Sequence, residues 1–108
     1  MEVQIHDGLS FNNANFRPTD DGVPGVTQMF LWNNPSPRRD GALDSSILIH
    51  EFAHGLSTRL AGILGLLLVP QGGGLGEGWS DFYAISMLTD PAVDPALPHP
   101  VSGFSTFG

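Results

Sequence analysis

A chain of 108 residues suffices for one small domain, and small domains bury a lower fraction of their surface than large ones, so a limited core is expected. Eleven acidic against four basic residues give a formal net charge of -7, which excludes the basic stripe that nucleic-acid phosphates require, and the lack of cysteine excludes disulfides and thiolate metal sites. The longest apolar stretch, Ile63 to Pro70, is far short of the roughly 20 residues needed to cross a bilayer, so no membrane span is expected.

In chain order, Glu2 to Ile5 predicts a strand end, His6-Asp7-Gly8 a turn and Phe11 to Phe16 an extended edge. Arg17 to Gly25, with Pro18, Asp20-Asp21-Gly22 and Pro24-Gly25, predicts a loop, and Val26 to Trp32 resumes as a strand that neighbours the edge. Asn33 to Gly41 reads as a surface loop leading to a helix over Ser45 to Leu60, with Asp44 or Ser45 as N-cap. Within that helix Leu48, Phe52, Leu56 and Leu60 recur every four residues and are expected to face a core, while His50 and His54 share another stripe. Gly72-Gly73-Gly74 predicts a sharp turn, and Leu75 to Leu88 a second helix. Pro91, Pro95, Pro98 and Pro100 lack backbone donors, so the reading is a core over residues 1–90 followed by an extended proline-rich tail over 91–108.

The chemistry concentrates in His50-Glu51-Phe52-Ala53-His54. An H-E-x-x-H run on a helix puts two imidazoles on one face, able to reach a single zinc ion at about 2.0–2.1 Å each, with the intervening Glu51 within reach of a water at the ion. Gly76-Glu77-Gly78-Trp79-Ser80-Asp81 adds a second helix with two carboxylates four residues apart. Glu77 is expected as third ligand, because two His and one Glu leave a fourth tetrahedral position open, as in catalytic zinc sites. Asp81, on the same face, is placed to accept the other ring N–H of a ligand histidine and fix its tautomer.

Asn12-Asn13-Ala14-Asn15-Phe16, Gln28 to Trp32, Asp40 to Asp44, His50 to Ser57 and Gly73 to Phe82 come in the order and spacing of the fungalysin family of secreted metalloendopeptidases, relatives of thermolysin, and over roughly the first four fifths the chain resembles that family. The resemblance implies an α+β thermolysin-like zincin core, a small sheet packed on two helices that face each other across the metal. It implies Zn2+ held by His50, His54 and Glu77, Glu51 as general base, and Asn13 and Ala14 on an edge strand whose backbone pairs with an extended polypeptide substrate. It further implies secretion, an upstream propeptide, a downstream helical lobe and a Tyr or His beyond the second helix that donates to the oxyanion. No signal peptide follows Met1, members of the family are much longer, and the expectation is therefore a catalytic-core fragment. Two segments depart from the family: Ala61 to Pro70 with its apolar run from Ile63 to Val69, where a more polar connection is expected, and the tail after Asp90, whose His99 is the only later candidate for a donor and otherwise a solvated side chain.

Simpler assignments stand beside these. His50 and His54 alone also suit a packed or surface pair, Glu77 a first-turn acid favoured by the helix dipole, Asn13-Ala14 a plain turn, and Trp79 a packing anchor. The loop Asp20-Asp21-Gly22 lacks the ligand series of a calcium loop, and His6 reads as surface. At the level of function the zinc endopeptidase is set against a zinc-binding but inactive fragment and a non-enzymatic interaction module.

Overall fold

The computed structural model describes residues 1–62, 69–98 and 100–106, so residues 63–68 of the apolar run and His99 lie outside the described residues. Its strands are β1 (Glu2–Gln4), β2 (Ala14–Arg17), β3 (Val26–Met29), β4 (Leu31–Trp32) and β5 (Arg39–Asp40), and its helices α1 (Ser45–Ala61), α2 (Pro70–Leu88) and α3 (Gly103–Thr106). The architecture is α+β.

β3 is the central strand of a three-stranded sheet, parallel to β1 and antiparallel to β2, with Ala14 opposite Met29 and Arg17 opposite Val26. Its four residues are all buried, and the amide of Gln28 is satisfied there by Asp7 Oδ2 at 2.6 Å. β2 is therefore an edge strand. The predicted strand Val26 to Trp32 is broken at Phe30, whose N–H donates to the Asn13 carbonyl while its own carbonyl accepts from Gly41 N–H. Past that point β4 leaves the sheet and pairs with β5, inside the segment expected to be a surface loop. A short-range pattern could not reveal this pairing, because each strand is two residues long.

α1 opens at Asp44, whose Oδ1 accepts from Ser46 N–H at 3.1 Å and from Ser46 Oγ at 2.6 Å, as the sequence anticipated. The other oxygen, Oδ2, accepts from Ser105 N–H at 3.0 Å, and Ser102 N–H donates to Ser46 Oγ at 2.9 Å. Arg39 lies 5.0 Å from the centre of the Phe104 ring. Residues 102–106 are thus seated on the start of α1, and where an extended tail was expected there are turns over 90–97 and the helical turn α3.

The orientation of α1 differs from the prediction. Its buried residues are Ile47, Glu51, Ala53, Gly55 and Thr58, whereas Phe52, Leu56 and Leu60 are exposed; only Leu48 of the four-residue series packs against the core of Ala14, Met29 and Ile47. The reason is the closeness of β2. The Phe16 ring is wedged between the sheet and the helix: a Cβ built on Gly55 would lie 2.7 Å from the ring and one on Gly25 2.3 Å from it. The face that meets the sheet must be the one with the smallest residue, not the one with the most apolar residues.

The glycine run also departs from expectation. It does not turn the chain but lies inside α2, which starts at Pro70, whose ring fixes φ near its helical value and whose missing N–H has no partner to lose at that position. Gly72, Gly76, Ser80 and Ala84 recur every four residues and are the buried residues of α2, which packs on α1. With no side chain larger than a methyl or hydroxymethyl in that stripe, the two helices approach closely. α1 is the middle layer, with the sheet on one side and α2 on the other.

Gly55→Ala should destabilise the protein by about 1–3 kcal/mol, the usual cost of overpacking. In a Phe16→Ala background the clash is gone, and the same change should stabilise by up to about 1 kcal/mol because alanine is the better helix former. Urea unfolding of the four proteins checks both signs.

Candidate metal centre

The helix spacing places His50 and His54 on one stripe of α1, and the small stripe of α2 brings Glu77 and Asp81 alongside them. Gly76 is the contact point: a Cβ there would lie 3.9 Å from His54 Nδ1. Its neighbour Glu77 then reaches both rings, with Oε2 3.1 Å from His50 Nε2 and Oε1 3.4 Å from His54 Nε2, while the two Nε2 atoms are 3.0 Å apart. Four residues on, Asp81 Oδ1 stands 2.8 Å from His50 Nδ1. Asp81 and Glu77 thus address opposite ring nitrogens of His50, and a proton held on Nδ1 by Asp81 leaves the Nε2 lone pair for the centre.

Side chains of three residues therefore converge, and among the described residues His50, His54 and Glu77 form the one group of this kind able to hold a metal ion. The two Nε2 atoms are 3.0 Å apart and each has a Glu77 carboxylate oxygen within 3.4 Å, Oε2 for His50 and Oε1 for His54, spacings near the roughly 3.3 Å between tetrahedral ligand atoms that sit 2.0–2.1 Å from one ion. Facing nitrogens at 3.0 Å can share at most one proton, and a cation relieves the repulsion that remains. The donor set fits a divalent metal. Glu77 is 64% exposed, so the centre is open to solvent on that side.

Glu51 faces away from α2 and toward β2. It is buried, 6% exposed, and this burial pushes its carboxyl from 4.5 up to about 7; the His50 charge and a hydrogen bond from Phe16 N–H oppose the rise, and the Glu77 charge adds to it. Burial likewise lowers the pKa of His54, against the pull of Glu77. Asn13 and Ala14 line the same cleft of about 300 Å³ as His50, Glu51, His54 and Glu77. The Asn13 carbonyl is already taken by Phe30, so strand alternation turns the backbone groups of Ala14 and Phe16 away from β3, where the Phe16 N–H meets Glu51. Asn13, Ala14, His50, Glu51, His54 and Glu77 thus share one cleft, Asp81 stands at the other ring nitrogen of His50, and His99 lies outside the described residues.

Two contributors went unread. Phe16 supplies the N–H that faces Glu51, and Thr58 lines the cleft while its Oγ1 donates to the His54 carbonyl at 2.7 Å. Thr58 follows His54 by four residues, a spacing that was visible; nothing in the sequence marks which strand amide Glu51 meets.

A sheet over a helix pair with two imidazoles, one carboxylate ligand candidate and an adjacent buried glutamate is the layout of a metallopeptidase centre. The sequence model of the fungalysin metallopeptidase family (M36) matches residues 1–106, through the tail as well as the core, and the chain belongs to that family. It is 45% identical over 105 residues to an extracellular metalloproteinase, MEP, of Leptosphaeria maculans, 94% of this chain and 16% of that protein. It is 51% identical over 87 residues to extracellular metalloproteinase 2 of Phaeosphaeria nodorum, 78% of this chain and 14% of that protein, and 46% identical over 92 residues to the mep protein of Aspergillus niger, covering 82% and 15%. The chain thus spans about one seventh of the length of the curated relatives it matches. No helix among the described residues is long and apolar enough to cross a membrane.

The buried Glu51 gives the metal-free protein a pH signature. A carboxyl whose folded pKa lies above its unfolded value favours folding while protonated, so its contribution is complete below pH 4.5 and is lost as pH rises through about 7. The loss from this group is at most roughly 3 kcal/mol, and the lowered His54 pKa slopes the other way. Urea unfolding at pH 4.5 and pH 8 should therefore show Glu51→Gln gaining stability relative to the parent at the higher pH.

Proposed function

We propose that this chain carries the zinc centre and general base of a secreted endopeptidase that cleaves extended polypeptides, on a thermolysin-like zincin core. The observation that carries the reading is the convergence of His50, His54 and Glu77 beside a buried Glu51. His50, His54 and Glu77 hold the ion, and neutral imidazoles with one carboxylate, leaving a position open, suit zinc in a catalytic role. When bound, zinc supplies Lewis acidity that polarises the scissile carbonyl and lowers the pKa of water toward about 7.

The chain's own residues do the rest. Glu51 takes the proton of the attacking water and returns it to the leaving amine nitrogen; a carboxyl near pH 7 is suited to both transfers. Ala14, at the open edge of β2, pairs with the substrate backbone, and the Asn13 side chain lines the cleft beside it. Pairing along an edge strand aligns an extended chain regardless of its side chains, which suits an endopeptidase. Asp81 keeps the His50 proton on Nδ1. Secretion follows the relatives, which are named as extracellular.

A second reading, zinc binding without turnover, is favoured by one fact: the chain spans only 14% to 16% of those relatives. Zinc content measured together with hydrolysis of a casein substrate separates the two.

Glu51→Gln should keep one zinc per chain and lower kcat at least about 100-fold, the scale of a lost general base. A variant as fast as the parent excludes the mechanism. Asp81→Ala should weaken zinc binding by about 10- to 100-fold, read by competition with a chromophoric chelator.

A further inference from the structure

Arg59 lies on α1 five residues beyond His54, and its guanidinium crosses to the loop that joins β2 to β3. One terminal nitrogen donates to Asp21 Oδ1 at 3.0 Å; the other donates to the Val23 carbonyl at 2.8 Å and stands 3.4 Å from Thr19 Oγ1 and 3.5 Å from the Asp20 carbonyl. The loop is shaped to receive it. Thr19 Oγ1 donates to the Val23 carbonyl at 2.8 Å, Val23 N–H closes on the Asp20 carbonyl at 3.1 Å, and Gly22 takes a φ of 82° that gathers these acceptors on one side. A planar fork bridges a carboxylate and a carbonyl at once, which a lysine ammonium does poorly.

The position of this clamp matters. Pro18, where the loop begins, and Phe16, at the end of β2, line the cleft together with Thr58, the immediate neighbour of Arg59. β2 is an edge strand held by β3 alone on its sheet side. Arg59 therefore ties the helix that bears both histidines to the loop that continues from the strand flanking them.

We propose that Arg59 is a positioning residue for substrate: it fixes the wall formed by Phe16 and Pro18 and so sets the binding of peptide residues that extend along β2 beyond Ala14. The assignment rests on the peptidase reading above, since it concerns the substrate of that site. An exposed pair of this kind is worth up to about fivefold in binding, or roughly 1 kcal/mol.

In the zinc-loaded protein, Arg59→Ala should raise KM about fivefold for a peptide long enough to run past Pro18. KM for a blocked dipeptide, kcat and zinc affinity should stay the same. Arg59→Lys should recover part of the loss, and Asp21→Asn should show a smaller rise; these two variants carry the test if Arg59→Ala fails to fold. Amide exchange at Asn15, Phe16, Arg17 and Val23 should quicken in the same order. An unchanged KM for the long peptide, an equal rise for both substrates, or a fall confined to kcat overturns the assignment. Absence of zinc uptake or hydrolysis in the parent protein would defeat the peptidase reading instead, and the exchange measurement then decides the clamp alone: unaltered rates overturn it.

Discussion

The packing of two helices governs this structure, because the side chains that meet at the centre, His50 and His54 from one and Glu77 from the other, come from both. Gly72, Gly76, Ser80 and Ala84 give α2 a face with almost no side chains, and on that face it settles against α1. Glu77 and Asp81 each stand one residue after a member of the stripe, so the closeness of the backbones translates directly into reach: a short carboxylate gets to a ring nitrogen only if the helices nearly touch. A Cβ at Gly76 would come into van der Waals contact with His54, which marks this position as the place where the two helices meet beside the imidazoles. Packing and chemistry are the same constraint viewed from two sides.

On the other side of α1 the same logic repeats with a strand. Gly55 admits the Phe16 ring, the ring brings β2 close, and β2 covers Glu51. The carboxyl of Glu51 is thereby held in a setting that favours its neutral form, while His50, one position earlier, looks toward α2. Adjacent residues on one helix thus acquire different partners from the layers they face: His50 meets the carboxylates of α2, and Glu51 meets the Phe16 amide of β2. The middle position of α1 is what makes this division possible.

The convergence of His50, His54, Glu77 and Asp81 was legible because it depends on spacing within two helices, and a period of 3.6 residues can be read without knowing what the helix packs on. The cap at Asp44 was legible for the same local reason. The face that α1 turns inward was not, since the apolar series Phe52, Leu56, Leu60 is the stronger pattern and it is the glycine at position 55 that decides. Three successive glycines read as a break when taken one by one, yet as a helix surface when placed beside Ser80 and Ala84 at intervals of four. The β4–β5 pair and the docking of residues 102–106 rest on partners distant in sequence, which no window of a few residues contains.

That docking has a consequence for the ends of the molecule. Asp44 is a buried anion with each oxygen engaged, one by the first turn of the helix that bears the histidines and one by Ser105, sixty-one positions away. Shortening the chain by its final handful of residues would strip a donor from a charge that water reaches poorly, a penalty of about 1–3 kcal/mol levied at the root of α1. Proteolytic nicking in the proline-rich stretch would be felt in the same place, so the integrity of a remote, plain-looking terminus is coupled to the rigidity of the helix that carries His50 and His54.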